Sequence, residues 1–268
     1  MRRELRLSCQ EQLLPAGSLE EKWEAAQAYG FQAIELRGKG DGAFAARLPE
    51  LRRAAAAAVP MPTVCVDMPH FLGDFDADRR RDALVQLRQQ LSTIAELGGR
   101  LAMTPAAYGM FSRRLPPFEP PRTPRADHEV LVDGFGELAE HAERVGVVIA
   151  LEPLNRYEDH MVNTLGQAVS LCKAVGLASM GVAADTYHMN IEEVDIPAAL
   201  LQAAPWLRHV QVSDTNRLEP GSGHLDWAPM LATLDAIGYV HELAYECRLS
   251  GEASTVLAQS TEYLRRMV

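Results

Sequence analysis

The chain has no pair of cysteines at metal-ligand spacing. Cys9, Cys65, Cys172 and Cys247 each stand alone. That excludes a zinc-ribbon pattern and reads as reduced, mostly buried thiols of a cytosolic protein. No apolar run approaches about 18 residues, so no transmembrane helix is expected. The opening residues, MRRELRLSCQ, lack the apolar centre of a signal peptide. Positive charge is also short: 26 Lys and Arg stand against 36 Asp and Glu, a net charge of −10. General affinity for nucleic acid or for an anionic membrane is therefore not expected. The sequence has no glycine-rich phosphate loop, which favours an unphosphorylated small-molecule substrate. It has neither a low-complexity tail nor a short internal repeat.

What is present is alternation. Apolar, β-branched segments follow one another with amphipathic stretches between them. The strand-like segments are ELRLSCQ, FQAIELRG, PTVCVDMPH, RLAMTP, VVIALE, GVAADTYH, RHVQVSDTNR and ELAYECR. Helices are expected between them. One starts at an N-cap at Ser18 with Glu21 as its capping-box partner, and another at Thr164 with Gln167. Further helices are expected over about 45–58, 76–97, 127–145, 196–204 and 227–237, and from 250 or 251 to about 267. Eight strands alternating with helices in 268 residues amount to about 33 residues per unit. That predicts a single (β/α)8 barrel spanning residues 1–268. One stretch breaks the pattern. Residues 105–125 hold Pro105, Pro116, Pro117, Pro120, Pro121 and Pro124 with Tyr108, Phe111 and Phe118. Long loops of this kind are often lids or binding loops, and an ordered active-site loop is expected here.

The chemistry concentrates in VVIALEPLNRYEDH, which begins at Val147. An apolar strand ends on a carboxylate, Glu152, and Pro153 stops it because proline has no N–H for a sheet. Three later strands end alike, on Asp185, Gln211 and Glu246. The four positions are roughly 26 to 35 residues apart, the spacing of successive β/α units. Side chains alternate along a strand. This groups Glu152 with Ala150, Asp185 with Ala183, Gln211 with His209, and Glu246 with Ala244 on one inward face. Three carboxylates and an amide oxygen at one barrel mouth would repel if bare. One divalent cation of the Mn²⁺, Mg²⁺ or Co²⁺ type relieves that repulsion. Glu152 and Glu246 lie on strands three apart in the ring, and as a pair of carboxylates they suit proton removal and return next to a polarised carbonyl. Taken singly, Glu152 also reads as a buried salt-bridge partner and Asp185 as a helix N-cap. His188 and Arg217 read as substrate contacts or as loop residues, and His209 reads as a core histidine.

These segments resemble the sugar isomerase/epimerase superfamily with the xylose isomerase-like barrel, which includes D-tagatose (D-psicose) 3-epimerases and hydroxypyruvate isomerases. LEPLNRYE is similar to the segment carrying a metal-binding and a substrate-contacting glutamate, here Glu152 and Glu158. ADTYHMN is similar to the segment with a metal aspartate and a substrate histidine, here Asp185 and His188. VSDTNR followed by PGSGHLDW resembles the loop whose arginine binds sugar hydroxyls, here Arg217. YEC matches the last metal glutamate, Glu246. Ketose 3-epimerases commonly carry histidine where this chain has Gln211; hydroxypyruvate isomerase-like members carry glutamine. The resemblance implies a cytoplasmic metal-dependent epimerase or isomerase of a small ketose, working through an enediolate and assembled as a homodimer or homotetramer. An inosose-type dehydratase is the alternative, followed by an endonuclease IV-like nuclease or a non-catalytic sugar-binding protein.

Overall fold

The structure is a computed structural model that describes residues 5–110 and 119–268. Eight parallel strands close into a barrel in sequence order. They are β1 (Leu7–Gln10), β2 (Ala33–Lys39), β3 (Thr63–Asp67), β4 (Leu101–Pro105), β5 (Val148–Glu152), β6 (Met180–Asp185), β7 (Leu207–Val212) and β8 (Leu243–Tyr245). The helices are α1 (Leu19–Ala28), α2 (Ala43–Ala46), α3 (Leu48–Ala56), α4 (Ala77–Glu96), α5 (Pro124–Val145), α6 (Leu165–Val175), α7 (Thr186–Glu192), α8 (Ile196–Ala203), α9 (Trp227–Ala236) and α10 (Ala253–Arg266). The (β/α)8 expectation is met.

Local sequence explains most of these boundaries. Both predicted capping boxes form, Ser18 with Glu21 on α1 and Thr164 with Gln167 on α6. Each satisfies two backbone N–H groups that the first turn leaves open. Helix α5 starts three residues before the expected Asp127. Thr123 caps it through the Ala126 N–H, and Pro124 sits in the first turn, where its missing N–H costs nothing. The expected 45–58 helix is two helices, broken where Pro49 starts a new first turn. Helix α7 was not anticipated. Of the 105–125 stretch, Phe111, Pro116, Pro117 and Phe118 lie outside the described residues.

Period two sorts the strand residues as expected. Ala150 and Ala183 pack inside the barrel with Leu101 and Met103. Ile149, Leu151, Val182 and Ala184 point outward into the larger core that the helices cover. Register then sets the height of the polar ends. Glu152 lies opposite Pro105, Asp185 opposite Gln211, and Gln211 opposite Ala244. A register shift between Val182 and Ala183 is essential to this. Val182 pairs Leu207, but Ala183 pairs His209. Without that bulge, Asp185 would stand beside Val210 and the inward faces of β6 and β7 would fall out of step.

Candidate active site

Two layers of polar side chains occupy the C-terminal half of the barrel. The lower is centred on Glu35, from β2, which is fully buried. Its Oε1 accepts from Gln10 Nε2 at 3.1 Å and from Gln211 Nε2 at 2.8 Å. Its Oε2 accepts from Thr63 Oγ1 at 2.8 Å and lies 2.7 Å from His209 Nε2. Burial alone would raise the pKa of this carboxyl. The neighbouring His209, Gln211 and Thr63 outweigh it and hold the pKa at about 2. Glu35 is therefore a satisfied core carboxylate. His209 is the core histidine partnering it. His70, just beyond β3, pairs with Asp82 of α4 at 2.7 Å.

The upper layer is the set read from the strand ends. Glu152, Asp185 and Gln211 are buried, and Glu246 follows the last residue of β8. Glu152 Oε1 and Gln211 Oε1 are buried oxygens without a hydrogen-bond donor, and Glu246 Oε2 has only the Arg217 guanidinium, 2.9 Å away. Unpaired buried oxygens are rare because leaving one costs about 1–3 kcal/mol, and more when charged. Burial first, then Glu246 and Asp185, push the Glu152 pKa well above the usual carboxylate range. Burial also raises that of Glu246; Arg217 opposes the rise and Asp185 adds to it. A group of donor-less oxygens in one place is what a hard divalent cation ligates, and its charge would reverse both shifts. Glu152, Asp185, Gln211 and Glu246 thus fit such an ion.

Asp185 takes the helix-cap role read for it. Its Oδ1 caps α7 by accepting from Tyr187 N at 2.7 Å, and its Oδ2 faces Arg217 Nη1 at 2.7 Å. The cap fixes the carboxylate and places His188 in the first turn of α7, with a ring nitrogen over the same centre. Ligand atoms of Glu152, Asp185 and His188 lie within 4.8 Å of one another. The His188 tautomer nevertheless assigns it a different role. Its Nδ1 accepts from the Asn155 backbone N–H at 3.1 Å, a group that can only donate. Burial first, then Arg217, hold its pKa down at about 4. The ring is neutral near pH 7, and its proton sits on Nε2, 3.8 Å from Glu152 Oε1. That atom is a hydrogen-bond donor, not a free lone pair for a metal.

Arg217 supplies positive charge to this cluster. It reaches Asp185 Oδ2 and, at 2.9 Å, Glu246 Oε2, and its guanidinium lies over the Tyr187 ring. It does not pair with Glu219, which accepts from Ser222 and Ser250 instead. Its backbone is left-handed, φ 62°, a conformation that costs a non-glycine residue free energy. Asp214 holds this turn in place. Its carboxylate accepts from Thr215 N, Gly221 N, Leu225 N and Trp227 Nε1, and its backbone carbonyl accepts from Arg217 N. A Cβ on Gly223 would overlap the Asp214 carboxylate. Glu158 joins through Asn155, whose Nδ2 lies 3.0 Å from Glu158 Oε1. Glu152, Glu158, His188, Arg217 and Glu246 line one cavity of about 870 Å³. Tyr108, Phe71, Met68 and Leu154 give it an apolar side. Sequence reasoning missed Asn155, Gln10 and Cys65, whose thiol lies 3.9 Å from Glu246 Oε1. Only Asn155, inside LEPLNRYE, carried a local signal. No helix among the described residues is long and apolar enough to cross a membrane.

Residues 23–267 match the family described as xylose isomerase-like TIM barrel. 3-Dehydro-D-guloside 4-epimerase of Escherichia coli (strain K12) is 35% identical over 92% of this chain and 94% of its own length. The crystal structure of 3-keto-D-glucoside 4-epimerase from E. coli superposes with a TM-score of 0.92 at 34% identity, covering 98% of this chain and 100% of that one. D-psicose 3-epimerase of Agrobacterium fabrum is 36% identical over 115 residues, 43% of this chain and 40% of its own. These relatives are sugar epimerases, and the chain belongs to the xylose isomerase-like TIM barrel family.

Proposed function

We propose that the protein is a divalent-metal-dependent epimerase of a keto sugar, inverting a hydroxyl-bearing carbon next to the ketone. The observation that carries this is the pair of buried, donor-less oxygens of Glu152 and Gln211 at the mouth of the barrel, beside the carboxylates of Asp185 and Glu246. Glu152, Asp185, Gln211 and Glu246 would hold one ion, of the Mn²⁺, Mg²⁺ or Co²⁺ type. When bound, the ion supplies Lewis-acid polarisation of the carbonyl. Either Glu152 or Glu246 removes the proton beside the ketone, and the other returns one to the opposite face. Glu152 is buried, so a proton held there is shielded from bulk water, whereas Glu246 is half-buried at the cavity. His188 donates its Nε2–H to a substrate oxygen. Glu158 accepts from a hydroxyl. Arg217 turns from its carboxylate partners toward substrate oxygens. The apolar side of the cavity limits water around the carbanion-like carbon.

The match to the E. coli 4-epimerase runs over nearly the full length of both chains, so a 3-keto-hexoside is the first substrate to try, ahead of free ketoses. A cytoplasmic homodimer or homotetramer without nucleic-acid or membrane partners belongs to the same proposal. The exclusion of nucleic-acid and membrane partners rests on the net charge of −10, the cytoplasmic setting on the four free thiols, and the assembly on the family resemblance alone. The test is solvent-deuterium incorporation into a 3-keto-D-glucoside and a panel of ketoses, with Mn²⁺ or with EDTA. Exchange next to the carbonyl, dependent on Mn²⁺ and lost in Glu246→Gln, is expected. Loss of water from the substrate, seen by mass, would replace the epimerase reading with the dehydratase one. Absence of exchange on every substrate with Mn²⁺ bound would overturn both.

A further inference from the structure

Gln211 is a weak ligand in principle because its amide has two faces, and only one presents oxygen. Something must choose the face. Around Gln211 the chain supplies a single strong determinant. Glu35 Oε1 sits 2.8 Å from Gln211 Nε2, and a carboxylate can only accept, so the atom facing it is the NH₂ group. The amide oxygen is then forced upward, where it is fully buried and finds no donor. Reversing the amide would place that oxygen against the carboxylate and break the hydrogen bond. Glu35 is itself fixed from below and from the side by Gln10, Thr63 and His209. Gln10 has its own face fixed in the same way, because Gln12, on the cavity wall, donates to Gln10 Oε1. A relay of side chains thus runs from the mouth through Gln12, Gln10 and Glu35 back up to Gln211.

We infer that Glu35 is the positioning residue of the metal site: by accepting from Gln211 Nε2 it locks the Gln211 amide with its oxygen toward the ion. This rests on the ligand set proposed above. Glu35 touches neither ion nor substrate and acts only through Gln211. Outer hydrogen-bond partners of this kind typically change metal affinity by about 10- to 100-fold when removed.

The test reads Mn²⁺ affinity from the EPR signal of free Mn²⁺, without turnover. Glu35→Gln, whose amide presents either face to Gln211, should bind Mn²⁺ about 10- to 100-fold more weakly. Gln211→Leu should lose a similar factor. The double variant Glu35→Gln/Gln211→Leu should bind no more weakly than Gln211→Leu, because the residue through which Glu35 acts is already gone. The exchange variant Glu35→Gln/Gln211→Glu presents oxygen whichever way its side chain turns, and should recover Mn²⁺ binding. Losses that multiply in the first double variant, or an exchange variant as weak as Glu35→Gln, would overturn the inference. Pulsed EPR of the Mn²⁺-loaded natural protein needs no variant to fold. It should show no directly bound nitrogen; a nitrogen from the Gln211 amide would contradict the assignment. Failure of the natural protein to take up Mn²⁺ would instead sink the metal site itself.

Discussion

Glu35 and Glu152 are the same residue type, both buried inside one barrel, and they sit in opposite electrostatic states. Glu35 is surrounded by Gln10, Thr63, His209 and Gln211, and its pKa is held down at about 2. Glu152 has an oxygen with no donor, and burial with Glu246 and Asp185 close by pushes its pKa up. Burial penalises both carboxylates, so depth does not separate them. The supply of donors does. In the lower layer every carboxylate oxygen has a partner within the chain, and the carboxylate is part of the scaffold. In the upper layer Glu152 Oε1 and Gln211 Oε1 lack a donor, and one arginine, Arg217, is shared between Asp185 and Glu246. A buried acid becomes a candidate for chemistry when its own fold leaves it unsatisfied.

That contrast can be broken by mutation. Glu152→Gln should reduce kcat by about 10²- to 10⁴-fold, while urea denaturation of the metal-free protein should show no loss of stability, because a buried repulsion is relieved. Glu35→Leu should do the reverse to the fold. It leaves His209 and Gln211 without their acceptor and should destabilise the protein by about 3–5 kcal/mol. Equal destabilisation by both would erase the distinction between the layers.

Added Mn²⁺ sharpens the comparison. At a free concentration of about 100 Kd, it should stabilise the natural protein by about 2.7 kcal/mol, and Asp185→Asn should abolish most of that gain in a thermal melt.

The smallest effect concerns a third carboxylate, Asp159, which is intermediate between the two layers. It accepts from Met161 N at 3.0 Å and Val162 N at 3.3 Å. Burial still wins and raises its pKa to about 7. The folded pKa lies above the unfolded one, so the folded state binds the extra proton between about pH 4 and 7. Stability should therefore fall as pH rises through that window, by about 2 kcal/mol or more. Asp159→Asn should flatten the slope in denaturation series at pH 5 and pH 8.

The strand ends were legible because two local rules suffice for them. Period two fixes which residues face inward, and a polar residue closing an apolar strand marks the mouth. Capping boxes at Ser18 and Thr164 are local too. What could not be read depends on closure of the barrel. Glu35 and Gln211 are 176 residues apart, and nothing near either announces the other. The bulge between Val182 and Ala183, which brings Asp185 level with Gln211, had one neighbouring signal, Gly181, where a Cβ would collide with Arg208 and the Trp206 carbonyl. Helix α7 had a signal in Asp185, read as an N-cap, but its seven residues are too short a run for helical periodicity to show. The His188 tautomer depended on Asn155, which was passed over inside an otherwise recognised segment.

The measurement that bears most directly on the two-layer account is anomalous diffraction from crystals grown with Mn²⁺. The account predicts one peak in the barrel, bonded to Glu152, Asp185, Gln211 Oε1 and Glu246, with Gln211 Nε2 still donating to Glu35 and His188 Nε2 outside the coordination shell. A peak ligated by His188, or one displaced to the level of Glu35, would contradict it.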